Sequence, residues 1–296
     1  MKHYVVTPKK EYRIGDVSIF PIFEQLVAFT KEQEDWMFPG VDLTDARLDW
    51  CVPDFLTPDR HLIFCVNEWL LQVHGQNILI DTGLTVERGD LMLRGLAEHG
   101  VKPEDINYVL FTHLHHDHCG GNTWIGEYAR LKPMFPNARY VFVRENYEFH
   151  KAVHDNPELQ RGDASYDLIW QFPVQMQFLV ENGMVDFVEA DHKFSDEIQF
   201  VPNPGHDKGM VAFLIQSKGD SCYIAADVMH HPFQMVMVDC SSSVDYDGEV
   251  TKVTRREMLE SLADTDTLFL ASHVAGDYAH FVKSRGDGTF YLVKAE

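Results

Sequence analysis

The sequence contains few basic residues and no long apolar run. Lys and Arg number 25 against 46 Asp and Glu, which gives a formal net charge of −21. A surface this acidic repels phosphate backbones and anionic lipids, so we expect neither a nucleic-acid partner nor a membrane partner. No stretch approaches the length of a membrane span, and the first residues lack the apolar core and cleavage site of a signal peptide.

Cysteine is also scarce, and its distribution excludes two classes of site. The five cysteines are odd in number, scattered, and form no Cys-x-x-Cys pair: Cys51, Cys65, Cys119, Cys222 and Cys240. This pattern argues against a disulfide framework and against a cysteine-rich zinc site. We therefore expect a protein of the reducing cytoplasm.

Apolar residues, in contrast, are plentiful. The chain has 296 residues, of which 45% are hydrophobic, enough for a large core. Strand-like and helical patterns follow one another from residue 61 to the end, with helices expected at 87–99 and 254–264. These features predict an α/β fold in one domain, residues 1–296, with two sheets between helix layers.

Two segments stand apart from this regular pattern. Residues 1–60 contain one expected strand at 17–23 and then an irregular arm, residues 24–60, with several aromatic side chains. The arm is either a lid or dimer contact, or it packs on its own core. Residues 145–180 are helix-rich and either wall an apolar pocket or simply pack on the sheets. The aromatic residues of this second segment are Tyr147, Phe149, Tyr166, Trp170, Phe172 and Phe178.

The stretch LFTHLHHDHCGGN, residues 110–122, concentrates metal-ligating side chains at the end of an expected buried strand. His113 and His115 are two residues apart, so in an extended chain they project to the same side. Asp117 and His118 follow where the chain must turn. One short loop at the carboxyl end of a strand therefore brings four ligand-type groups together, where α/β folds place their sites.

The remaining residues of this stretch are expected to have supporting roles. His116 is predicted to point away from the site, and Cys119 to be a small packed residue. Gly120 and Gly121 are expected to permit a tight turn with positive φ, and Asn122 to cap a following helix.

Three more ligand-type residues follow apolar strands farther along the chain. His206 follows EIQFVPNPG, Asp227 follows CYIAA, and His273 follows TLFLAS. A catalytic zinc usually has three protein ligands and one open position, so the four ligands of this loop are too many for one metal and too few for two. These three residues are therefore the candidates for completing the set.

With these residues in place, the chain resembles the metallo-β-lactamase superfamily. HLHHDH has the form His-x-His-x-Asp-His, and IDTG at 80–83, PGH at 204–206, Asp227 and His273 follow in the same order over roughly residues 60–296. Five features in register make the resemblance specific. It implies a four-layer αβ/βα sandwich with two mixed sheets and a two-metal site at its edge.

The resemblance also implies how the ligands are shared between the metals. His113, His115 and His206 would hold one divalent ion, Asp117, His118 and His273 would hold the other, and Asp227 would bridge them. Zinc is the expected metal, although Mn, Fe or Co also suit His/Asp ligands. Asp81 is expected to orient a ligand rather than to bind metal.

Within the superfamily, the chain most resembles the lactonase and methyl-parathion-hydrolase-like branch. The stretch DVMHHP, residues 227–232, and the helical segment are shared with members that hydrolyse lactones, esters and organophosphates. His230 occupies the position of a lactonase tyrosine that reaches the substrate carbonyl, so it either contacts substrate or supports the ligands. Asp207 and Lys208 replace the Thr-Pro common after PGH, and no role for them follows from the sequence.

These observations predict a dinuclear hydrolase in which a metal-bound hydroxide attacks the carbonyl of a lactone or other carboxylic ester, with Asp117 handling the proton. Phosphotriester cleavage and glyoxalase II-like thioester hydrolysis are the alternatives within hydrolases. A di-iron redox protein and a non-catalytic binding module are alternatives of another class. A small-molecule substrate is expected, and a homodimer is possible through the aromatic arm.

Overall fold

The computed structural model describes residues 11–84, 90–126, 130–156, 158, 174–275 and 280–295. Within these ranges the strands are, in chain order, β1 (Tyr12–Ile14), β2 (Val17–Ala28), β3 (Ile63–Val73), β4 (Gln76–Ile80), β5 (Tyr108–Leu110), β6 (Thr123–Ile125), β7 (Leu131–Pro133), β8 (Arg139–Val143), β9 (Val185–Val188), β10 (Ile198–Pro202), β11 (Val211–Ser217), β12 (Asp220–Ala225), β13 (Leu268–Ala271), β14 (His280–Ser284) and β15 (Phe290–Lys294). The α-helices are α1 (Lys31–Met37), α2 (Asp90–Glu98), α3 (His116–Cys119), α4 (Arg144–Asp155), α5 (Val174–Glu181) and α6 (Gly248–Leu262).

Most strands of the described residues form two large sheets. The first sheet has the order β1-β2-β3-β4-β5-β8-β9, and the second has the order β10-β11-β12-β13-β14-β15. Both are mixed, because β4, β5, β8 and β9 pair in parallel in the first sheet and β12 pairs in parallel with β13 in the second. The strands β6 and β7 form a separate hairpin.

The buried apolar side chains fall into three clusters that define the layers. One cluster lies between the two sheets, with Ile80 of the first sheet and Ile224 of the second among its members. A second cluster joins the outer face of the first sheet to α2 and α5, through residues such as Leu96 and Met176. The third joins the outer face of the second sheet to α6 and to the N-terminal arm. The layers are therefore helix, sheet, sheet and helix, so the expected four-layer α/β sandwich is confirmed.

The N-terminal arm is more regular than the sequence pattern suggested. Strand β2 does not end at residue 23 but continues to Ala28, with a register shift between Phe23 and Gln25 against β3. The helix α1 follows, and Thr30 caps it by accepting a hydrogen bond from the Gln33 amide. The polar residues at 24 and 25 interrupt the apolar alternation, which is why the sequence pattern predicted an early end to the strand.

Two helices begin at different residues from those expected. Helix α6 begins at Gly248 rather than at residue 254, because Asp247 accepts hydrogen bonds from the amides of Glu249 and Val250 and so caps the first turn. Helix α2 is described from Asp90. Of the aromatic residues expected in the segment 145–180, Tyr166, Trp170 and Phe172 lie outside the described residues. Among the described helices, none has the length and apolar character needed to cross a membrane.

Candidate metal centre

The predicted ligands lie in loops at the carboxyl ends of strands from both sheets. His113 and His115 follow β5 in the first sheet, and Asp227 and His273 follow the parallel strands β12 and β13 in the second. His206 lies in the loop after β10. Because these strand ends open on the same edge of the sandwich, residues more than 150 positions apart meet there.

The two glycines of the HCGGN turn act differently from what the sequence suggested. Gly120 has φ −67°, and neither glycine has positive φ. Glycine is required at position 121 because a Cβ there would lie 2.2 Å from the carbonyl oxygen of Thr82. The expectation that Asn122 caps a helix is also wrong, since strand β6 follows it and its amide donates to the Cys119 carbonyl instead.

The predicted ligands form two adjacent clusters. Their ligand atoms lie within 4.8 Å of one another in each cluster, and all of the histidines are buried. The first cluster consists of His113, His115 and His206, and the second of Asp117, His118, Asp227 and His273. His116 belongs to neither cluster, and its side chain is 36% exposed.

Asp227 lies between the two clusters. Its Oδ2 is 3.2 Å from His118 Nε2 and 2.8 Å from His273 Nε2, both in the second cluster. The same oxygen is 3.6 Å from His206 Nε2 in the first cluster. One carboxylate therefore faces ring nitrogens of both clusters.

Four of the histidines have their Nδ1–H groups bound to acceptors outside the site. His118 Nδ1 is 2.9 Å from Asp81 Oδ2, His206 Nδ1 is 3.0 Å from Asp245 Oδ1, and His273 Nδ1 is 2.7 Å from the Cys65 carbonyl oxygen. The Thr112 hydroxyl donates to Asp81, so its oxygen can only accept from His113 Nδ1.

These hydrogen bonds fix the tautomer of each ring. The neutral form of such a ring, which a bound metal would require, donates through Nδ1 and carries its lone pair on Nε2, and in all four rings Nε2 faces the centre of the site. Such outward contacts orient metal-binding histidines in proteins. Asp245 was not identified from the sequence, because it follows His206 by 39 positions in a polar loop and only the fold brings the two together.

The charges of the site are consistent with a pair of cations. Burial opposes ionisation of Asp227, but the adjacent His273 and His118 hold its pKa well below its usual range. Asp117 is likewise kept ionised, since His118 and His116 outweigh burial and lower its pKa. Burial lowers the pKa of His113 well below its usual value, so this ring is a neutral nitrogen donor.

The donor set fits divalent metal ions. His113 Nε2 and Asp227 Oδ1 are buried and have no hydrogen-bond partner among the described residues. Burying a carboxylate oxygen and an imidazole lone pair without partners is costly unless a ligand satisfies them. Nitrogen and carboxylate donors suit Zn and related ions. Cys119 is not a competing ligand, because burial raises the pKa of its thiol and its Sγ contacts the Leu114 carbonyl.

The neighbouring residues His230 and His231 have different environments. His231 Nε2 donates to the carbonyl oxygen of Phe55, and its Nδ1 accepts from the Phe233 amide, so both ring nitrogens are engaged outside the site. The His230 ring stacks on His273 at a centroid distance of 5.8 Å, and its Nε2 is 3.5 Å from Asp227 Oδ2. Burial lowers the pKa of His230 to about 3, so the ring is neutral at neutral pH.

A cavity of about 350 Å³ opens over the two clusters. Its polar wall is made of cluster residues together with His116, His230 and Gln33, and no Lys or Arg is among its described lining residues. The apolar part of the wall comes mainly from the N-terminal arm and strands β2 and β3: Val27, Phe29, Trp36, Met37, Phe64, Val66, Leu84 and Val244. Of the two aromatic segments singled out in the sequence, the arm therefore supplies the wall, and no described residue of 145–180 contributes.

The sequence model of the metallo-beta-lactamase superfamily matches residues 66–273. The chain belongs to this superfamily. The family resemblance seen in the motifs is thus confirmed, and the chain places a cluster of His and Asp side chains that could hold metal ions at the edge of this fold.

Similar proteins include several lactonases. An N-acyl homoserine lactonase of Bacillus cereus is 24% identical over 172 residues, which are 51% of this chain and 58% of that protein. The chain thus matches less than two thirds of that relative's length. Among solved structures, AidC, a dizinc quorum-quenching lactonase, superposes with a TM-score of 0.80 at 22% identity over 97% of both chains. The hydrolase AbOPH gives a TM-score of 0.81 at 18% identity over 99% of both chains. At these identities the two structures show the shared fold.

Proposed function

We propose that the protein is a two-metal hydrolase of lactones or other neutral carboxylic esters with an apolar substituent. The observation that carries the proposal is the pair of His/Asp clusters, joined by Asp227, at the floor of an apolar cavity. The lactonases among its relatives support the choice of a lactone.

Each of the two clusters could hold one metal ion. His113, His115 and His206 would hold one ion, Asp117, His118 and His273 would hold the other, and Asp227, which faces ring nitrogens of both clusters, would contribute to the site between them. When bound, such a pair of divalent ions polarises a carbonyl and makes a water molecule a good nucleophile at neutral pH.

Asp117 is placed to move the proton. It is the most accessible cluster carboxylate, with 19% of its side chain exposed to the cavity, and its low pKa keeps it ionised. Asp117 Oδ2 lies 3.6 Å from His273 Nε2 and its Oδ1 lies 3.9 Å from His118 Nε2. We assign to this carboxylate the proton of the attacking water, which it would return to the leaving alkoxide.

His230 is placed to stabilise the carbonyl oxygen. A neutral imidazole carries one N–H, and neither ring nitrogen of His230 has a hydrogen-bond partner among the described residues. The ring lies beside His206 and Asp227 and lines the cavity. We therefore assign its N–H to the substrate carbonyl oxygen, where negative charge develops during attack.

The cavity wall favours neutral substrates. No cationic side chain among its described residues is available to bind an anionic group, which disfavours a thioester of a charged peptide. A neutral phosphotriester fits the same apolar wall, so it is the second candidate. A redox protein or a binding module has no observation in its favour, since the histidine and aspartate set is complete.

The proposal is tested by a substrate panel on the zinc- and manganese-loaded protein. The panel contains N-acyl homoserine lactones of several chain lengths, aryl esters, an aryl phosphotriester and an anionic thioester. We expect turnover of lactones or aryl esters, and its loss by more than about 100-fold in His113→Ala. His74→Ala is the matched control, because this histidine lies outside both clusters and the cavity wall, is 62% exposed and pairs with Glu197, and it should retain most activity. Absence of ester and lactone turnover by the metal-loaded wild type would exclude the proposed reaction.

A further inference from the structure

Asp207, which departs from the family pattern after PGH, is a fully buried carboxylate beside the first cluster. It is 0% exposed and directly follows His206. Its Oδ2 accepts hydrogen bonds from Asn146 Nδ2 at 2.6 Å and from His150 Nε2 at 2.7 Å. Its Oδ1 accepts from the Lys208 amide at 2.7 Å. Burial of a charge is tolerated in proteins when donors surround it in this way.

The two side-chain donors come from helix α4, at the start of the helix-rich segment 145–180. Asn146 and His150 are four residues apart, so they lie on one face of the helix. The loop after Asp207 approaches this face so closely that a Cβ at Gly209 would lie 2.9 Å from the backbone nitrogen of Asn146. We call Asn146, His150 and Asp207 the α4 anchor.

The α4 anchor also contacts a second member of the first cluster. His115 has Nδ1 2.9 Å from His206 Nε2, inside the cluster, and Nε2 3.9 Å from Asp207 Oδ2 on its other side. The His150 ring packs edge-on against the His115 ring, with centroids 5.6 Å apart. Asp207 is therefore the chain neighbour of His206, and its carboxylate faces the ring of His115, so it is next to two members of the first cluster.

The trio His115, His150 and Asp207 has the composition of an ion site, but its hydrogen bonds exclude that role. Asn146 Nδ2 lies 2.7 Å from the Lys208 carbonyl as well as 2.6 Å from Asp207 Oδ2. The Asp207 carboxylate and the Lys208 carbonyl are both acceptors, so the Asn146 side chain must direct its NH₂ group, and not its oxygen, towards them. Asp207 Oδ2 thus already accepts from two donors and is held as an anchored carboxylate.

We propose that Asp207, fixed by Asn146 and His150, is a positioning residue for the His113–His115–His206 cluster, and that it acts on this cluster rather than on the second one. Its carboxylate sets the loop that carries His206 and places a negative charge behind the outer edge of His115. The second cluster has a direct carboxylate contact of its own, Asp81 at His118, and Asp81 also reaches His113 through the Thr112 hydroxyl. The inference rests on the proposed metal centre, and it adds a second carboxylate to the first cluster, beside Asp245 at His206.

The experiment measures metal affinity one cluster at a time. A His118→Ala background leaves the first cluster, and a His113→Ala background leaves the second. In each background, Asp207→Asn is compared with Asp81→Asn, the same substitution at the carboxylate that bonds His118 of the second cluster. Affinity for Zn²⁺ is measured by chelator competition, and the site geometry by the absorption spectrum of bound Co²⁺.

We expect Asp207→Asn to weaken Zn²⁺ binding at the first cluster by about 10- to 100-fold and to change binding at the second by less than about threefold, whereas Asp81→Asn should weaken binding at the second cluster, where Asp81 bonds His118 directly. An equal loss at both clusters, or no loss at the first, would overturn the proposal. If Asp207→Asn does not fold, His150→Gln and His150→Leu replace it. Gln keeps a donor near the Nε2 position and should retain the affinity that Leu loses, and equal affinities of the two would overturn the proposal.

This test is independent of the substrate. If the wild type binds two ions but hydrolyses nothing in the panel, the proposed reaction fails and the affinity comparison still decides the role of Asp207. If the wild type binds no ions, the metal centre and the positioning role are both overturned.

Discussion

At the scale of single residues, the adjacent histidines 230 and 231 show how contacts rather than residue type decide a role. His231 caps a 3₁₀ turn and bonds the Phe55 carbonyl, so it ties the loop to the N-terminal arm. His230 points into the cavity with a neutral ring. His231 therefore supports the structure of the loop, whereas we propose that His230 contacts substrate.

Replacing His230 should therefore affect turnover more than metal binding. His230→Phe keeps a flat ring but removes the N–H, and we expect kcat to fall by about 100-fold, as when one oxyanion donor is lost. His230→Gln restores a donor and should recover part of the loss. Equal kcat for wild type and His230→Phe, measured with full metal content, would show that this ring does not contact the reacting carbonyl.

His231 should make folding stability depend on pH. Burial lowers its pKa to about 4 from an unfolded value of 6.5. Between these values the unfolded chain binds a proton that the native ring does not, so stability present above pH 6.5 is lost as pH falls toward 4. From pH 7 to pH 5 this amounts to about 1–2 kcal/mol.

Urea unfolding of the wild type and His231→Gln at pH 7 and pH 5 measures this contribution. All other titratable groups are common to both proteins, so only the difference between the two is interpreted. The wild type should lose more stability than the variant by about 1–2 kcal/mol. The same loss in both proteins would mean that His231 is not buried as a neutral ring.

At the scale of elements, helix α6 holds the loop that presents Asp227 and His230. Arg255 is fully buried and donates to the carbonyl oxygens of Val228, Val238 and Cys240, at the two ends of this loop. A single guanidinium thus donates to three carbonyl oxygens, which no apolar side chain can do, and the Cys240 oxygen also accepts from Gln234 Nε2.

Arg255→Leu should lower the free energy of unfolding by about 3 kcal/mol or more, because the buried carbonyls of Val228 and Val238 lose this donor and the Cys240 carbonyl keeps only Gln234. Arg256→Leu is the matched control. Arg256 is partly exposed and bonds Asp239 on the surface, so its loss should cost about 1 kcal/mol or less. Chemical denaturation of both variants checks the comparison, and similar losses would contradict the role assigned to Arg255.

At the scale of the whole molecule, the proposed metal centre joins the two sheets. His113 to His118 follow the first sheet, and His206, Asp227 and His273 follow the second. Ions bound between them stabilise the native state only, because the unfolded chain does not bring the ligands together.

Removing the metals should therefore lower the melting temperature. Ions at 100 times their dissociation constant contribute about 2.7 kcal/mol each, so chelation should reduce Tm by about 5 °C or more. Adding zinc back to the chelated protein should restore the original Tm, whereas magnesium, which prefers oxygen ligands, should not. An unchanged Tm on complete metal removal would show that the clusters do not link the sheets energetically.

The sequence by itself determined the family, the α/β sandwich and the set of seven residues that form the two clusters. It did so because four of these residues are adjacent in one loop and the other three follow apolar strands. A histidine or aspartate at the end of an apolar strand stands out in the sequence, since the core itself is apolar. The need for glycine at position 121 shows the limit of this reasoning, since it depends on the Thr82 carbonyl rather than on the turn itself.

Only the tertiary structure decided which residues support the clusters and which wall the cavity. Asp245 and the α4 anchor contact the cluster histidines from loops and a helix that no local pattern relates to them. The cavity wall comes from the arm near Phe29 and Trp36, because β2 extends along β3 to the edge where the ligands lie. Such contacts depend on how distant elements pack, and a linear sequence carries no periodic signal for them.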